Sequence, residues 1–286
     1  MTWKLPSWLS PVWLVVASIA SVQLGAAFAK SLFPLAAPTA VAWLRMTVAA
    51  VIFWVIARPR VRGRSWAEWR NVLGYGITLA VMNWSVYLAF SRIPIGLAVT
   101  IEFLGPLSLA LFGSRRARDV LWVLLAAVGV ALLGAFPATV DWIGVGFALL
   151  AGAAWACYIV LGRRTGRSWE GITGVSMGSL VGAVIFLVPG LMAGGADLLQ
   201  PKVLLLGALV GLLSSVIPYG LEMVALRSIP SGVFGILMSI EPAAAAAFAL
   251  LVLGEQLGWV ELVAMGCVVV ASIGSTRSLA SGPAPN

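Results

Sequence analysis

Histidine is missing from the 286-residue sequence, and only 10% of its residues are charged. The chain therefore lacks the commonest general base, metal ligand and physiological-pH switch among side chains. Its two cysteines, Cys157 and Cys267, both lie inside apolar runs, where small-residue packing is expected rather than a disulfide or a metal site. These absences predict no metal, no cofactor and no enzymatic activity.

Apolar residues make up 61% of the sequence, whereas soluble domains are about 45–50% apolar and about 25% charged. Runs of roughly 17–25 apolar residues are typical of membrane-spanning helices. Ten such runs cover residues 12–32, 38–57, 70–91, 94–113, 119–136, 142–161, 171–193, 202–224, 231–253 and 258–275. The sequence therefore predicts an all-α integral membrane protein with ten transmembrane helices.

The basic residues lie mainly on one side of this predicted topology. Of 18 lysines and arginines, 14 fall in the tails or in the loops after the second, fourth, sixth and eighth runs. Cytoplasmic loops are enriched in lysine and arginine, so both termini are predicted to be cytoplasmic. The formal charge of +8 is explained by this orientation, and no nucleic-acid partner is expected.

The chain contains an internal repeat. Residues 89–112 align with residues 225–248 at an offset of 136, and the aligned pairs include Pro94 with Pro230 and Pro106 with Pro242. The repeats are predicted to be residues 1–137 and 138–286, with five spans each. Because five is odd, the second repeat crosses the membrane in the opposite sense, an architecture common among secondary transporters. The alternative is an ancient duplication in a structural membrane protein.

Two carboxylates lie near the middle of matched spans. Glu102 is about 12 Å inside the fourth span and Glu241 about 15 Å inside the ninth, in a hydrocarbon core about 30 Å thick. A charge at the bilayer centre costs at least about 2.5–3.5 kcal/mol, so ionisable residues there face an interior or a wet cavity and are usually functional. The alternative is a structural ion pair with Arg45.

Three prolines are predicted to break helices beside these residues: Pro106, Pro218 and Pro242. Proline has no N–H for the carbonyl four residues earlier. The carbonyls left free belong to Glu102, Ser214 and Met238. They could accept hydrogen bonds from a ligand or from water, or the prolines could simply kink helices whose neighbours satisfy the backbone.

Polar residues mark corresponding faces of the third and eighth spans. Asn83 and Tyr87 lie four residues apart, and Tyr219 and Met223 occupy the matching positions in the second repeat. Glu222, near the cytoplasmic end, is a weaker candidate. These stripes suit a binding site, although hydrogen bonding between helices is the simpler explanation.

Arg45, in the second span, could hold a substrate carboxylate through its forked donors, or could neutralise Glu102. Trp155 lies deep enough to line a cavity, although packing would also explain it. Gln23 and Lys30 in the first span are weaker candidates.

The segment GVSMG at residues 174–178 matches the nucleophile elbow of serine hydrolases. Such an enzyme needs a base, and the chain has no histidine. Gly174, Gly178 and Gly182 recur every four residues, which instead predicts close helix packing.

Several motifs resemble those of the threonine/homoserine exporter family, within the EamA-type drug/metabolite transporters. They include SRIPIGLAVTIEFLGPLSLALFGSRR, IPYGLEMVALRSIP, FGILMSIEPAAA, GAAFAKSLFP and WLRM, and together they cover nearly the whole chain. The resemblance implies two inverted five-helix repeats and export of small amino acids, with proton influx as the driving force. It adds Ser239, from the L-M-S-x-E-P element, to the substrate-binding residues. Ile236 stands where the family has threonine, so one hydroxyl is missing from the ninth span.

The sequence and the resemblance together predict a proton-coupled exporter of a small zwitterion in the bacterial inner membrane, working as a monomer. The site is expected between spans 3, 4, 8 and 9, with Arg45 from span 2, and Glu102 and Glu241 are the candidate proton carriers. Alternatives are export of another small metabolite or drug on the same fold, or a channel or scaffold without coupling.

Overall fold

The structure, a computed structural model, describes residues 10–112, 117–134, 141–169, 171–226, 228–229 and 231–280. These residues form helices and connecting turns, and no strand occurs among them. In chain order the helices are α1 (Pro11–Ser31), α2 (Pro38–Ala57), α3 (Trp66–Phe90), α4 (Ile95–Glu102), α5 (Leu104–Phe112), α6 (Ala117–Gly134), α7 (Trp142–Thr165), α8 (Thr173–Ile185), α9 (Leu187–Gly194), α10 (Pro201–Gly211), α11 (Ile217–Leu226), α12 (Ser231–Met238), α13 (Glu241–Leu253) and α14 (Trp259–Ala280). A π-helical turn, Leu212–Val216, joins α10 to α11.

Seven helical segments are long and apolar enough to cross a membrane: α1, α2, α3, α7, the α10–α11 segment, the α12–α13 segment and α14. The α8–α9 pair, bent by 52°, would make an eighth. The expected spans at 94–113 and 119–136 fall on shorter apolar helices, described over Ile95–Leu109 and Val120–Gly129. The chain is therefore an all-helical, multi-span protein, while the count of ten crossings stays a prediction.

Local chemistry explains where several helices begin. Ser65 and Glu68 form a reciprocal capping box at the start of α3. Asp141 caps α7 by accepting hydrogen bonds from the backbone N–H groups of Gly144 and Ile143. The bond from Gly144 is the largest influence that holds the pKa of the Asp141 carboxyl below its usual value.

The glycines of α8 allow close packing against α3. A Cβ built on Gly178 would lie 2.5 Å from the ring of Tyr75, and one on Gly182 would lie 3.3 Å from the Cβ of Ala80. In the other direction, a Cβ on Gly76 would lie 2.9 Å from the carbonyl oxygen of Gly178. The interpretation of this stripe as a packing surface is confirmed.

The two halves of the chain pack in matching ways. α1 contacts α11 and α13. In the same way α7, which corresponds to α1, contacts α3 and α5, which correspond to α11 and α13. α2 packs on α8 and α6 on α14, which pairs elements at corresponding places in the two halves, and α4 packs on α13. The breaks at Phe103 and Ser239 are separated by 136 residues, the offset of the sequence repeat.

Candidate functional site

A cavity of about 160 Å³ lies between helices of both halves, where α4 ends and α13 begins. Six of the eight predicted substrate-binding residues line it: Arg45, Asn83, Glu102, Trp155, Tyr219 and Glu241. They come from six different elements, so the fold gathers residues that are distant in sequence. Of the three predicted helix-breaking prolines, Pro218 also lines the cavity.

Glu102 is the last residue of α4 and is 9% exposed. Among the described residues, no hydrogen bond or ion pair involves its carboxylate. Its backbone is held firmly, because a Cβ on Gly152 of α7 would lie 2.6 Å from the Glu102 carbonyl oxygen. The ring of Trp155 meets that of Phe103 edge to face at 5.0 Å. The backbone of Glu102 is therefore closely packed, while its carboxylate is available to a ligand.

Glu241 is the first residue of α13, so it lies at a helix N-terminus, where the helix dipole favours negative charge. The side-chain N–H of Gln23, on α1, donates to Glu241 Oε1 at 3.0 Å. The other two oxygens of this pair, Gln23 Oε1 and Glu241 Oε2, are buried and have no hydrogen-bond partner among the described residues.

Arg45 is tied to the π-helical turn. Its Nη2 donates to the carbonyl of Ser214 at 2.7 Å and its Nε to Ser215 Oγ at 3.0 Å. The Ser214 carbonyl is the one that Pro218 leaves free, so a side chain from α2 satisfies it. The guanidinium also lies over the ring of Tyr87, 5.6 Å from its centroid. No described ion pair joins Arg45 to Glu102, but the two charges interact electrostatically, so partial neutralisation of Glu102 by Arg45 stays a prediction.

Two predicted binding residues lie outside the cavity lining. Tyr87 is fully buried beneath Arg45 and contacts Phe33. The Ser239 hydroxyl donates to the carbonyl of Gly235 and is 2.7 Å from Ser272 Oγ on α14. The Ser239 hydroxyl is therefore hydrogen-bonded to protein groups, one of them on another helix. Pro106 and Pro242 break their helices beside the cavity without lining it.

Four polar lining residues were weak candidates or were missed: Gln23, Tyr158, Ser214 and Glu222. Tyr158 follows Trp155 by three residues, so one helical turn would have identified it. Glu222 accepts a hydrogen bond from Ser18 at 2.6 Å. Arg227, five residues later in the sequence and a possible partner for Glu222, lies outside the described residues.

The cavity has more acidic than basic groups. Three carboxylates, from Glu102, Glu222 and Glu241, and one guanidinium, from Arg45, line it. If all were ionised, the formal sum would be −2. Burying unpaired like charges is strongly unfavourable, so this site needs a proton, a cationic ligand group or both.

At one end of the bundle, which we call the closed end, a cluster of side chains joins the two halves. Lys30, at the end of α1, forms an ion pair with Glu255 at 2.5 Å and donates to the carbonyl of Ile93 at 2.9 Å. Glu255 also accepts from the backbone N–H of Ile95 at 2.9 Å. α4 and α13 pack closely there, since a Cβ on Gly96 would meet the Cβ of Ala246 at 2.8 Å.

Known proteins resemble the chain in both sequence and fold. Residues 142–277 match the EamA-like transporter family. The threonine/homoserine exporter RhtA of Escherichia coli K12 is 43% identical over 280 residues, covering 96% of this chain and 94% of that protein. The RhtA of Salmonella typhimurium LT2 is 42% identical over 286 residues, covering 99% and 96% respectively. One crystal structure aligns with a TM-score of 0.60 and 19% identity, over 94% of this chain and 99% of that chain, which shows the fold alone.

Proposed function

The chain belongs to the threonine/homoserine exporter family of EamA-like transporters, and from that premise we propose that it exports small neutral amino acids such as threonine and homoserine. The 43% identity to RhtA over nearly the full length supports the substrate class. Export crosses the bacterial inner membrane, and proton entry drives it.

The observation that carries this proposal is the unpaired Glu102 carboxylate in a cavity of about 160 Å³. An amino acid brings an ammonium for a carboxylate and a carboxylate for a cation. Drug-sized ligands occupy pockets of about 300–1,000 Å³, so the size of this cavity favours a small metabolite over a drug. Arg45 uses Nε and Nη2 on the π-helical turn, which leaves Nη1 for the substrate carboxylate.

Alternating access is supported by the unequal packing of the two ends. By the 136-residue offset, α12 corresponds to α4 and α5 corresponds to α13. α4 packs against α13, whereas no comparable packing joins α12 to α5 among the described residues. Under the predicted topology the closed end is periplasmic, so this conformation would receive substrate from the cytoplasm. In the opposite conformation α12 would pack against α5 and α4 would separate from α13. The cavity would then open at the periplasmic end.

Proton coupling follows from the charge balance of the cavity. With three carboxylates against one guanidinium, an empty site is unfavourable unless protons occupy it. The substrate ammonium can replace a proton on arrival from the cytoplasm, and a proton from outside can replace the ammonium. The carrier would then return with protons in place of substrate.

The test is uptake of labelled threonine and homoserine into inverted membrane vesicles, with and without an imposed pH gradient. Saturable uptake that rises with the gradient is expected, and Glu102→Gln should insert normally yet bind substrate weakly. Asp197→Asn, in the turn after α9, is the control, because Asp197 bonds Gln200 within its own turn. Uptake that does not saturate would favour a channel, and saturable transport unaffected by pH would refute the coupling.

A further inference from the structure

The Gln23–Glu241 pair leaves one buried oxygen on each side chain without a hydrogen bond. Gln23 Nε2 donates to Glu241 Oε1, and the two remaining oxygens, Gln23 Oε1 and Glu241 Oε2, are both acceptors. Both are buried, and neither has a partner among the described residues. A buried acceptor without a partner loses the hydrogen bond to water that it would make when exposed, so two such acceptors on one bonded pair are unfavourable.

We propose that Glu241 carries the coupling proton in this conformation, and that Gln23 positions it in a cyclic acid–amide pair. A proton on Oε2 converts the Glu241 carboxylate into a carboxylic acid whose O–H can donate to Gln23 Oε1, while the amide N–H keeps its bond to Oε1. The single proton thereby gives both orphaned oxygens a partner. This inference rests on the proposed function and deepens it by assigning the proton to Glu241 and the substrate ammonium to Glu102.

The surroundings of Glu241 offer no better partner. Gln23 is 2% exposed and Glu241 is 8% exposed. Two further carboxylates interact electrostatically with Glu241, those of Glu222 and Glu102. Arg45 is committed to the π-helical turn, and Lys30 on α1 is bound to Glu255 at the closed end. Among the described residues neither cation bonds to Glu241, and the N-terminus of α13 supplies only a partial positive charge, so a proton is needed to neutralise this carboxylate fully.

Glu102 has the complementary environment. Its carboxylate reaches the cavity without a protein partner, so it can receive the substrate ammonium directly. Glu241 is bonded to a neutral amide whose N–H can donate to either form and whose free oxygen can accept from the acid, so it can exchange a proton without changing its neighbour. In one cycle, Glu241–COOH releases H⁺ to the cytoplasm and the resulting carboxylate takes up H⁺ again when the cavity faces outside. Glu102 binds the amino acid, and Glu241 binds the proton.

The proton can be observed without transport. In the infrared spectrum of the purified protein in lipid, a protonated carboxylic acid has a C=O band that a carboxylate lacks. A band assigned to Glu241 should disappear in Glu241→Gln and persist in Glu102→Gln. In Gln23→Met, which keeps similar volume but no hydrogen bond, the band should move to higher frequency because the acid C=O loses its N–H donor. Loss of the band in Glu102→Gln instead, or no shift in Gln23→Met, would overturn the proposal.

Transport separates this inference from the proposed function. In Glu241→Gln the amide can keep two bonds to Gln23, and uptake driven by a pH gradient should fall at least tenfold more than exchange of labelled for unlabelled threonine falls. If Glu241→Gln retains gradient-driven uptake, the assignment of the proton is wrong although the protein is an exporter. If the parent transports no amino acid while the infrared band behaves as expected, the proposed function fails and the proton site stands.

Discussion

Neutralising Glu255 should open the closed end of the transporter. Its carboxylate binds Lys30 from α1 and the first backbone N–H of α4, and so links the second half of the chain to two elements of the first. The charged side chains of Lys30 and Glu255 are only 21% and 17% exposed, so water screens them incompletely. Glu255→Gln keeps the shape and one acceptor oxygen but removes the charge.

The expected size of the effect follows from the bonds lost. Hydrogen bonds to charged groups contribute about 1.5–3 kcal/mol, and the lower figure applies because glutamine preserves a weaker bond to the Ile95 N–H. A change of about 1.4 kcal/mol is tenfold in an equilibrium, so the population open to the periplasm should rise about tenfold. Lys30→Met should act similarly, and the double variant should add little, since each change removes the same pair.

The assay is labelling of one cysteine in the cavity by a membrane-impermeant maleimide added to intact cells. Ala26→Cys places a small thiol in the lining after Cys157 and Cys267 have been replaced by serine. Glu255→Gln should accelerate labelling about tenfold, and Asp197→Asn, which removes a charge from the same predicted side, should not. Equal labelling in parent and Glu255→Gln, or equal acceleration by Asp197→Asn, would refute the view that this cluster closes the cavity.

Three further predictions concern topology, Arg45 and packing. Cysteines at Arg62 and Arg164 should react only with reagents that reach the cytoplasm, and those at Asp141 and Asp197 should react from outside; the reverse pattern would contradict export. Arg45→Lys should insert but lose most transport, because lysine cannot bond the Ser214 carbonyl, Ser215 and a substrate carboxylate with one planar group; parental transport in that variant would remove Arg45 from the site. Gly105→Ala should lower the free energy of unfolding by about 1–3 kcal/mol, because the added Cβ would overlap the Gly152 backbone. Gly146→Ala, where the Cβ would enter open space, is the control, and both variants are compared by thermal unfolding of the purified protein.

The sequence correctly predicted those cavity residues whose possible surroundings are restricted by a charge or by a proline. Glu102, Glu241 and Arg45 are too costly to expose to lipid, so all three were expected inside the bundle, and all three line the cavity. The proline at 218 predicted a free carbonyl at Ser214, and Arg45 binds that carbonyl. These inferences needed only local backbone chemistry and the cost of burying charge.

Other residues could not be placed because they depend on helix rotation. Tyr87 is one turn from Asn83, yet a helix in a bundle touches several neighbours, and Tyr87 packs under Arg45 while Asn83 faces the cavity. Ser239 lies at a helix break, where the side-chain direction departs from helical periodicity, and it bonds Ser272. The π-helical turn shifts the register of the eighth span, so the periodicity of the sequence could not bring Ser214 to the site.

The ion pair between Lys30 and Glu255 at the closed end is not reproduced by the internal repeat. By the 136-residue offset, Gly166 corresponds to Lys30 and Asp119 to Glu255, so the second copy of this cluster lacks the matching lysine. In the proposed alternating-access cycle the two facing states would have similar energies, and the Lys30–Glu255 pair, which the repeat does not duplicate, would bias the equilibrium toward closure of its own end. For an exporter in a cell with an inward proton gradient, a carrier that rests closed to the periplasm limits proton entry without substrate. Substrate must then supply the free energy that separates Lys30 from Glu255, and we propose that it does so by binding through its ammonium to Glu102, in the cavity between the two halves.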